Sequence, residues 1–195
     1  PQNCVAVIYR GEILATYIKH HLPNYGVFDE YRNFIAGSHT AVVHISGVDV
    51  GLAICEDAWQ DNGPFEELAA VSPGLVIVIN GSPFERDKDD VRVPLIARRA
   101  EQLNAPVAYV NLVGGQDELV FDGGSVVVDQ SGKILARGAQ SFARFLGGGH
   151  EAREALTHAT RAIEALQSLP DSPARNASEL ALCMIEGTAL VANKG

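Results

Sequence analysis

Gly47–Trp59, GVDVGLAICEDAW, is the stretch from which the rest of the chain is read. Val48, Val50, Leu52, Ala53 and Ile54 form a short apolar run rich in β-branched side chains, opened by the turn-former Gly47, which is the pattern of a buried strand. The run stops at Cys55, and Glu56 and Asp57 follow at once. A thiol at such a boundary is held by the core on one side and open to a polar surface on the other, as a nucleophile must be. The reading of an unpaired core cysteine stands beside it, because free cysteine is among the most buried residue types.

A chain of 195 residues suffices for one domain or for a domain with an appendage, and 47% hydrophobic with 20% charged residues is a globular composition. The formal net charge of −9 argues against nucleic acid or an anionic membrane surface as the main partner. No apolar run approaches the roughly 18 residues of a membrane span, and no basic-then-apolar leader opens the sequence. No membrane partner and a cytoplasmic location are therefore expected. Cys4, Cys55 and Cys183 are odd in number and lack CxxC spacing, so reduced thiols are expected rather than a disulfide framework or a zinc site. His20, His21, His39 and His44 also lack ligand spacing, and no metal is expected. The opening Pro-Gln-Asn-Cys passes straight into a strand pattern, as though the chain entered within a domain.

In chain order, residues 4–9 and 12–18 read as a hairpin around Arg10-Gly11, with Val5, Val7 and Tyr9 on one face of its first strand. The second strand delivers Lys19 to KHHLPNYGVFDEYRNF (19–34), a loop by its Pro23, Asn24 and Gly26. Its lysine, histidines, aromatics and carboxylates suit either the lining of a site or a solvated loop. Residues 41–46 and 48–54 form a second strand pair, and Pro64–Ala70 starts with proline as a helix does. Leu75–Ile79, LVIVI, and 106–112, PVAYVNL, are strands of the type buried on both faces. Between them, 87–103 is amphipathic, with acids toward its start and Pro94 compatible with the first turn of a helix that begins late. Gly114–Glu118 follows the second of these, and 124–129 with 133–137 reads as a hairpin. Hairpins flanking a strand–helix–strand core predict an α/β layered domain with a mixed sheet.

Gly147-Gly148-Gly149 marks a change of texture. Residues 151–195 read as a helix pair, with Leu156, Ala159, Ile163 and Leu166 on one stripe and Ala177, Leu180, Met184, Gly187 and Val191 on the other. Two such helices cannot bury both stripes alone, so this tail is expected to dock on the domain or on a protein partner.

Cys55 and Lys19 together suit amide hydrolysis through a thioester. A thiolate attacks the carboxamide carbon, a cation stabilises the oxyanion, and a base takes the thiol proton and then activates water. The segments KHHLPNYGVFDEYRNF, ICEDAW, NGSPFERDKDDVR and GGQDELVFDGGS resemble the nitrilase-type carbon–nitrogen hydrolases, and within them the glutaminase domains of glutamine-dependent NAD⁺ synthetases. The resemblance covers residues 1–145, with 146–150 as a Gly-rich linker. It implies a partial αββα sandwich, two sheets face to face between helical layers, followed here by the helical hairpin tail.

By motif, the resemblance implies Cys55 as nucleophile, Lys19 as the lysine that holds the oxyanion, and Glu30 as the additional glutamate kept near the thiol. Tyr25, Glu56 and Ser82 match positions that line the glutamine pocket. Glu56 fits that role physically, because an α-ammonium leaving water needs a carboxylate partner. Trp59 reads as a packing residue. The family's general-base glutamate lies upstream of the matched segment and has no counterpart here, so weak or absent turnover by this chain alone is expected. The synthetase domain has none either, and no Walker-type loop occurs. ATP and Mg²⁺ are thus implied only for that domain, with no cofactor for amide hydrolysis. The family implies glutamine as small-molecule partner and a possible homo-oligomer. The tail resembles a tetratricopeptide-type helical region. Two other functions are compatible with these residues: a non-catalytic remnant whose tail is an interaction module, and an amidase for another small amide.

Overall fold

The computed structural model describes residues 1–85 and 88–138. The expectations for 146–195, the linker and the helix pair, lie outside these residues.

The core is a mixed sheet of six strands built on three parallel ones: β4 (Val48–Ile54), β5 (Leu75–Asn80) and β6 (Val107–Asn111). β3 (Ala41–Ile45) pairs antiparallel with β4 at one edge, and β9 (Val126–Val128) and β10 (Ile134–Arg137) continue antiparallel beyond β6. Each parallel step needs a crossover, supplied by α1 (Pro64–Val71) and α2 (Asp89–Leu103). Both helices cover one face. Phe65 and Leu68 of α1 and Ile96, Ala100 and Leu103 of α2 pack on Ala53, Val76, Val78, Val107 and Tyr109. Gly51 of β4 lets α1 come close, since a Cβ there would stand 2.7 Å from Leu68 Cδ2.

The alternate residues of the same strands point the other way. Val50, Leu52, Ile54, Leu75 and Ile77 meet Tyr17, Val5 and Val7 of a separate two-stranded sheet, β1 (Cys4–Tyr9) with β2 (Glu12–Ile18). Runs apolar at every position are explained by these two covers. One helical layer, the main sheet and a second β layer make the described residues a partial sandwich of the expected α/β class.

Two local expectations are corrected, and one element is added. β7 (Val113–Gln116) and β8 (Leu119–Asp122) form a short hairpin turning at Asp117, whose φ is 52°, where the sequence reading assigned no element. Two glycines in β7 obscure its strand character, because they offer no side chain to pattern. Pro94 is inside α2, which starts at Asp89. It is near enough to the N-terminus that only an early carbonyl loses its intrahelical donor. Tyr9 is exposed rather than sharing the inward face of Val5 and Val7, because the β1–β2 register shifts between Val7 and Ile8.

Candidate active site

Parallel strands that start in register end in register, and the site lies at that carboxyl edge. Ile54 pairs with Ile79, and Asn80 with Asn111, so Cys55 and the turn carrying Ser82 leave the sheet side by side. Cys55 opens a 3₁₀ turn, Cys55–Ala58, with φ of 46°. A non-glycine residue in this left-handed region persists only where its surroundings enforce it, and such residues cluster at functional sites. The thiol is partly exposed, whereas Glu56, Asp57 and Ala58 behind it are buried.

Lys19, just past the end of β2, is buried, and its Nζ lies 2.7 Å from Glu30 Oε1. Glu30 Oε2 accepts from Asn3 Nδ2 at 3.3 Å. The loop that returns Glu30 is tied down by main-chain bonds from Glu30 N–H to Pro23 O and from Gly37 N–H to Lys19 O. Gly37 is required there, because a side chain would run into the Ile18 carbonyl.

A cavity of about 270 Å³ opens over Cys55, walled by Tyr25, Phe28, Glu56, Trp59, Ser82, Glu85, Lys88 and Val91. Tyr25 donates its hydroxyl to Glu56 Oε2 at 2.7 Å, and Gln60 Nε2 donates to Glu56 Oε1 at 2.7 Å. Both oxygens of that carboxylate are oriented before any ligand arrives. Ser82 is held by Asn111, which accepts from its N–H at 2.9 Å and donates to its carbonyl at 3.2 Å. Lys88, also in the cavity wall, donates to Glu85 at 2.6 Å.

Charge and burial oppose each other at the thiol. Burial pushes Cys55 up to about 11 against the pull of Lys19, with Glu56 and Glu30 adding to the rise and Lys88 countering it. Burial also pushes the Tyr25 phenol above the usual tyrosine range, and its hydrogen bond to Glu56 adds to this. Tyr25 is therefore a donor throughout the neutral range.

The structure thus brings together Cys55, Lys19, Glu30, Tyr25, Glu56 and Ser82, gathered from three separate segments. Trp59, read as packing, also forms part of the wall. Sequence reasoning missed Gln60, Lys88, Asn111 and Asp57. Gln60 and Asp57 were visible as polar residues beside the cysteine. Nothing local signals Asn111, whose role depends on β6 lying next to β5. Among the described residues no group of three or more His, Cys, Asp or Glu is placed to hold a metal ion. No helix among them is long and apolar enough to cross a membrane.

Residues 2–144 match the family model described as carbon-nitrogen hydrolase. Curated relatives include the glutamine-dependent NAD(+) synthetases of Aquifex aeolicus, 47% identical over 140 residues, and Thermotoga maritima, 46% identical over 140 residues. These alignments cover 72% and 70% of this chain, but it spans only about a quarter of either relative, 24% in each case. Among solved structures, the glutamine-dependent NAD+ synthetase of Acinetobacter baumannii in complex with ADP superposes with a TM-score of 0.69 at 34% identity, over 87% of this chain and 36% of that one. A mutant of the amidase from Nesterenkonia sp. AN1, with the acetamide moiety of fluoroacetamide added at its active-site cysteine, aligns with a TM-score of 0.56 at 31% identity, over 67% of this chain and 48% of that one. With the family pattern matched over most of its length and a cysteine at the end of a core strand, the chain belongs to the carbon–nitrogen hydrolase family.

Proposed function

We propose that this chain is the glutamine-hydrolysing part of a glutamine-dependent NAD⁺ synthetase, releasing ammonia through a Cys55 thioester. The observation that carries the reading is the shared cavity of Cys55 and the pre-oriented Tyr25–Glu56–Gln60 group. A carboxylate held in this way at a cavity wall suits an α-ammonium, and Lys88, which lines the same cavity while paired with Glu85, supplies a cation for an α-carboxylate. A neutral amide would use neither group, which disfavours an amidase for another small amide.

In the reaction, the Cys55 thiolate bonds to the carboxamide carbon, and the carbonyl electrons move onto oxygen, where the Lys19 ammonium stabilises them. Collapse breaks the carbon–nitrogen bond, and ammonia leaves carrying the proton that Cys55 gave up in forming the thiolate. Water then attacks the thioester, which releases glutamate and restores the thiol. Amide hydrolysis needs no cofactor; ATP and Mg²⁺ belong to the use of the ammonia by the remainder of such a synthetase. A thiol with its pKa at about 11 is protonated at neutral pH, and Glu30 and Glu56 already accept from Lys19, Asn3, Tyr25 and Gln60. Without a further base, turnover is expected to be lower by about 10²–10⁴-fold.

A glutamine-mimicking diazoketone tests this reading. Stoichiometric labelling lost in Cys55→Ala and slowed by glutamine but not by acetamide is expected. Labelling that glutamine does not slow overturns it.

A further inference from the structure

Asp57 is fully buried and takes no part in the chemistry or the recognition described above. Its Oδ1 accepts from the main-chain N–H of His20 at 3.2 Å and of His21 at 2.9 Å. Its Oδ2 accepts from the Tyr17 hydroxyl at 2.7 Å and from the N–H of Ile54 at 3.0 Å. These four hydrogen bonds occupy both carboxylate oxygens, and the His21 ring Nδ1 lies a further 3.4 Å from Oδ1. The donors come from two places in the chain. Tyr17, His20 and His21 flank Lys19, and Ile54 directly precedes Cys55.

These two stretches belong to different sheets, β2 in one and β4 in the other. A single side chain therefore clamps both the lysine and the left-handed backbone at the cysteine, a conformation that has to be held from outside. We propose that Asp57 is a positioning residue that sets the spacing between the Lys19 ammonium and the Cys55 thiol. This rests on the reading of Cys55 as nucleophile and Lys19 as its cation. Asparagine has the same shape, but its amide nitrogen would face donors, so about half of the bonds survive in Asp57→Asn.

The test is the pH profile of Cys55 alkylation by iodoacetamide, measured on the full chain with Cys4 and Cys183 replaced by serine. The groups whose charge acts on the thiol are Lys19 after β2, Glu30 in the following loop, Glu56 on the 3₁₀ turn and Lys88 before α2, with the Tyr25 and Tyr109 phenols nearby. Withdrawal of Lys19 moves the profile to higher pH. Loss of the Asp57 charge acting directly through space moves it to lower pH. The expected result for Asp57→Asn is a shift upward, with the rate at pH 8 about tenfold lower, and for Tyr17→Phe a smaller shift in the same direction. A profile unchanged or moved to lower pH in both variants overturns the proposal. If Asp57→Asn does not fold, Tyr17→Phe decides alone: an upward shift at a parent-like melting temperature supports the clamp, and an unchanged profile overturns it. Iodoacetamide does not mimic glutamine, so failure of the substrate assignment leaves this result intact. Lys19→Met with an unaltered profile would instead sink the pairing of lysine with thiol.

Discussion

The ammonium of Lys19 and the carboxylate of Glu30 form a close ion pair, 2.7 Å apart, with the lysine side chain 2% exposed and the glutamate 16%. The pair holds a cation beside a thiol whose pKa burial still pushes up to about 11, the cation only countering that rise. Removing one partner of a buried pair is costly because the other charge is left stranded. Lys19→Met should lower the unfolding free energy by about 3 kcal/mol, as read from urea denaturation. A loss within error of zero would mean that the pair is effectively solvated.

Glu56 is oriented by Tyr25 and Gln60, so the two contributions can be separated. Glu56→Gln removes the charge and is expected to weaken protection of Cys55 by glutamine by about ten- to a hundredfold, the value of a charged hydrogen bond. Tyr25→Phe leaves the charge and the Gln60 bond in place and should weaken protection by less than about tenfold. Equal effects from the two variants would count against an ammonium site at Glu56.

Stability should fall in mild alkali for a reason located at Cys55. Its folded pKa of about 11 is above the ordinary thiol value of 9.0, so the folded state retains the proton more tightly than the unfolded chain does. The corresponding stability is fully present below pH 9 and is lost as pH rises through 11. Denaturation midpoints measured at pH 8 and pH 10.5 should differ more for the parent than for Cys55→Ala. Parallel behaviour of the two would place the alkaline loss elsewhere, for instance on Tyr17 and Tyr109, whose phenols burial also pushes up.

Arg99 of α2 secures the far end of the 3₁₀ turn that Cys55 opens. It is buried, donates to the carbonyls of Ala58 (2.8 Å) and Gln60, and stacks on Phe65 with 5.2 Å from Cζ to the ring centroid. Arg99→Leu should cost about 2–4 kcal/mol in stability, since it leaves the buried Ala58 carbonyl without its donor and removes the packing on Phe65. It should also slow labelling of Cys55 at temperatures where the protein is still folded. Unchanged labelling in a folded variant would restrict Arg99 to holding the helix.

Much of the site was legible before the fold. ICED after an apolar run locates a thiol at a strand end, and the crowded loop around KHHLPNYG locates its neighbours, because these residue types are costly to collect without a use. The short hairpin at 113–122 was not legible, since glycine carries no pattern. The partners of Asp57 were not legible either, because three of its four donors are main-chain groups, which no residue type reports.

By itself, the sequence determined the α/β class, the strand-end position of Cys55 and the family, because apolar periodicity and motif residues are local properties. Only the tertiary structure decided that Lys19 meets Glu30, that Tyr25 and Gln60 take the two oxygens of Glu56, and that Asp57 joins β2 to β4. These contacts join residues far apart in the chain or on opposite sides of a turn. The register of parallel strands and the packing of one sheet on another place them, and neither is written in any single stretch.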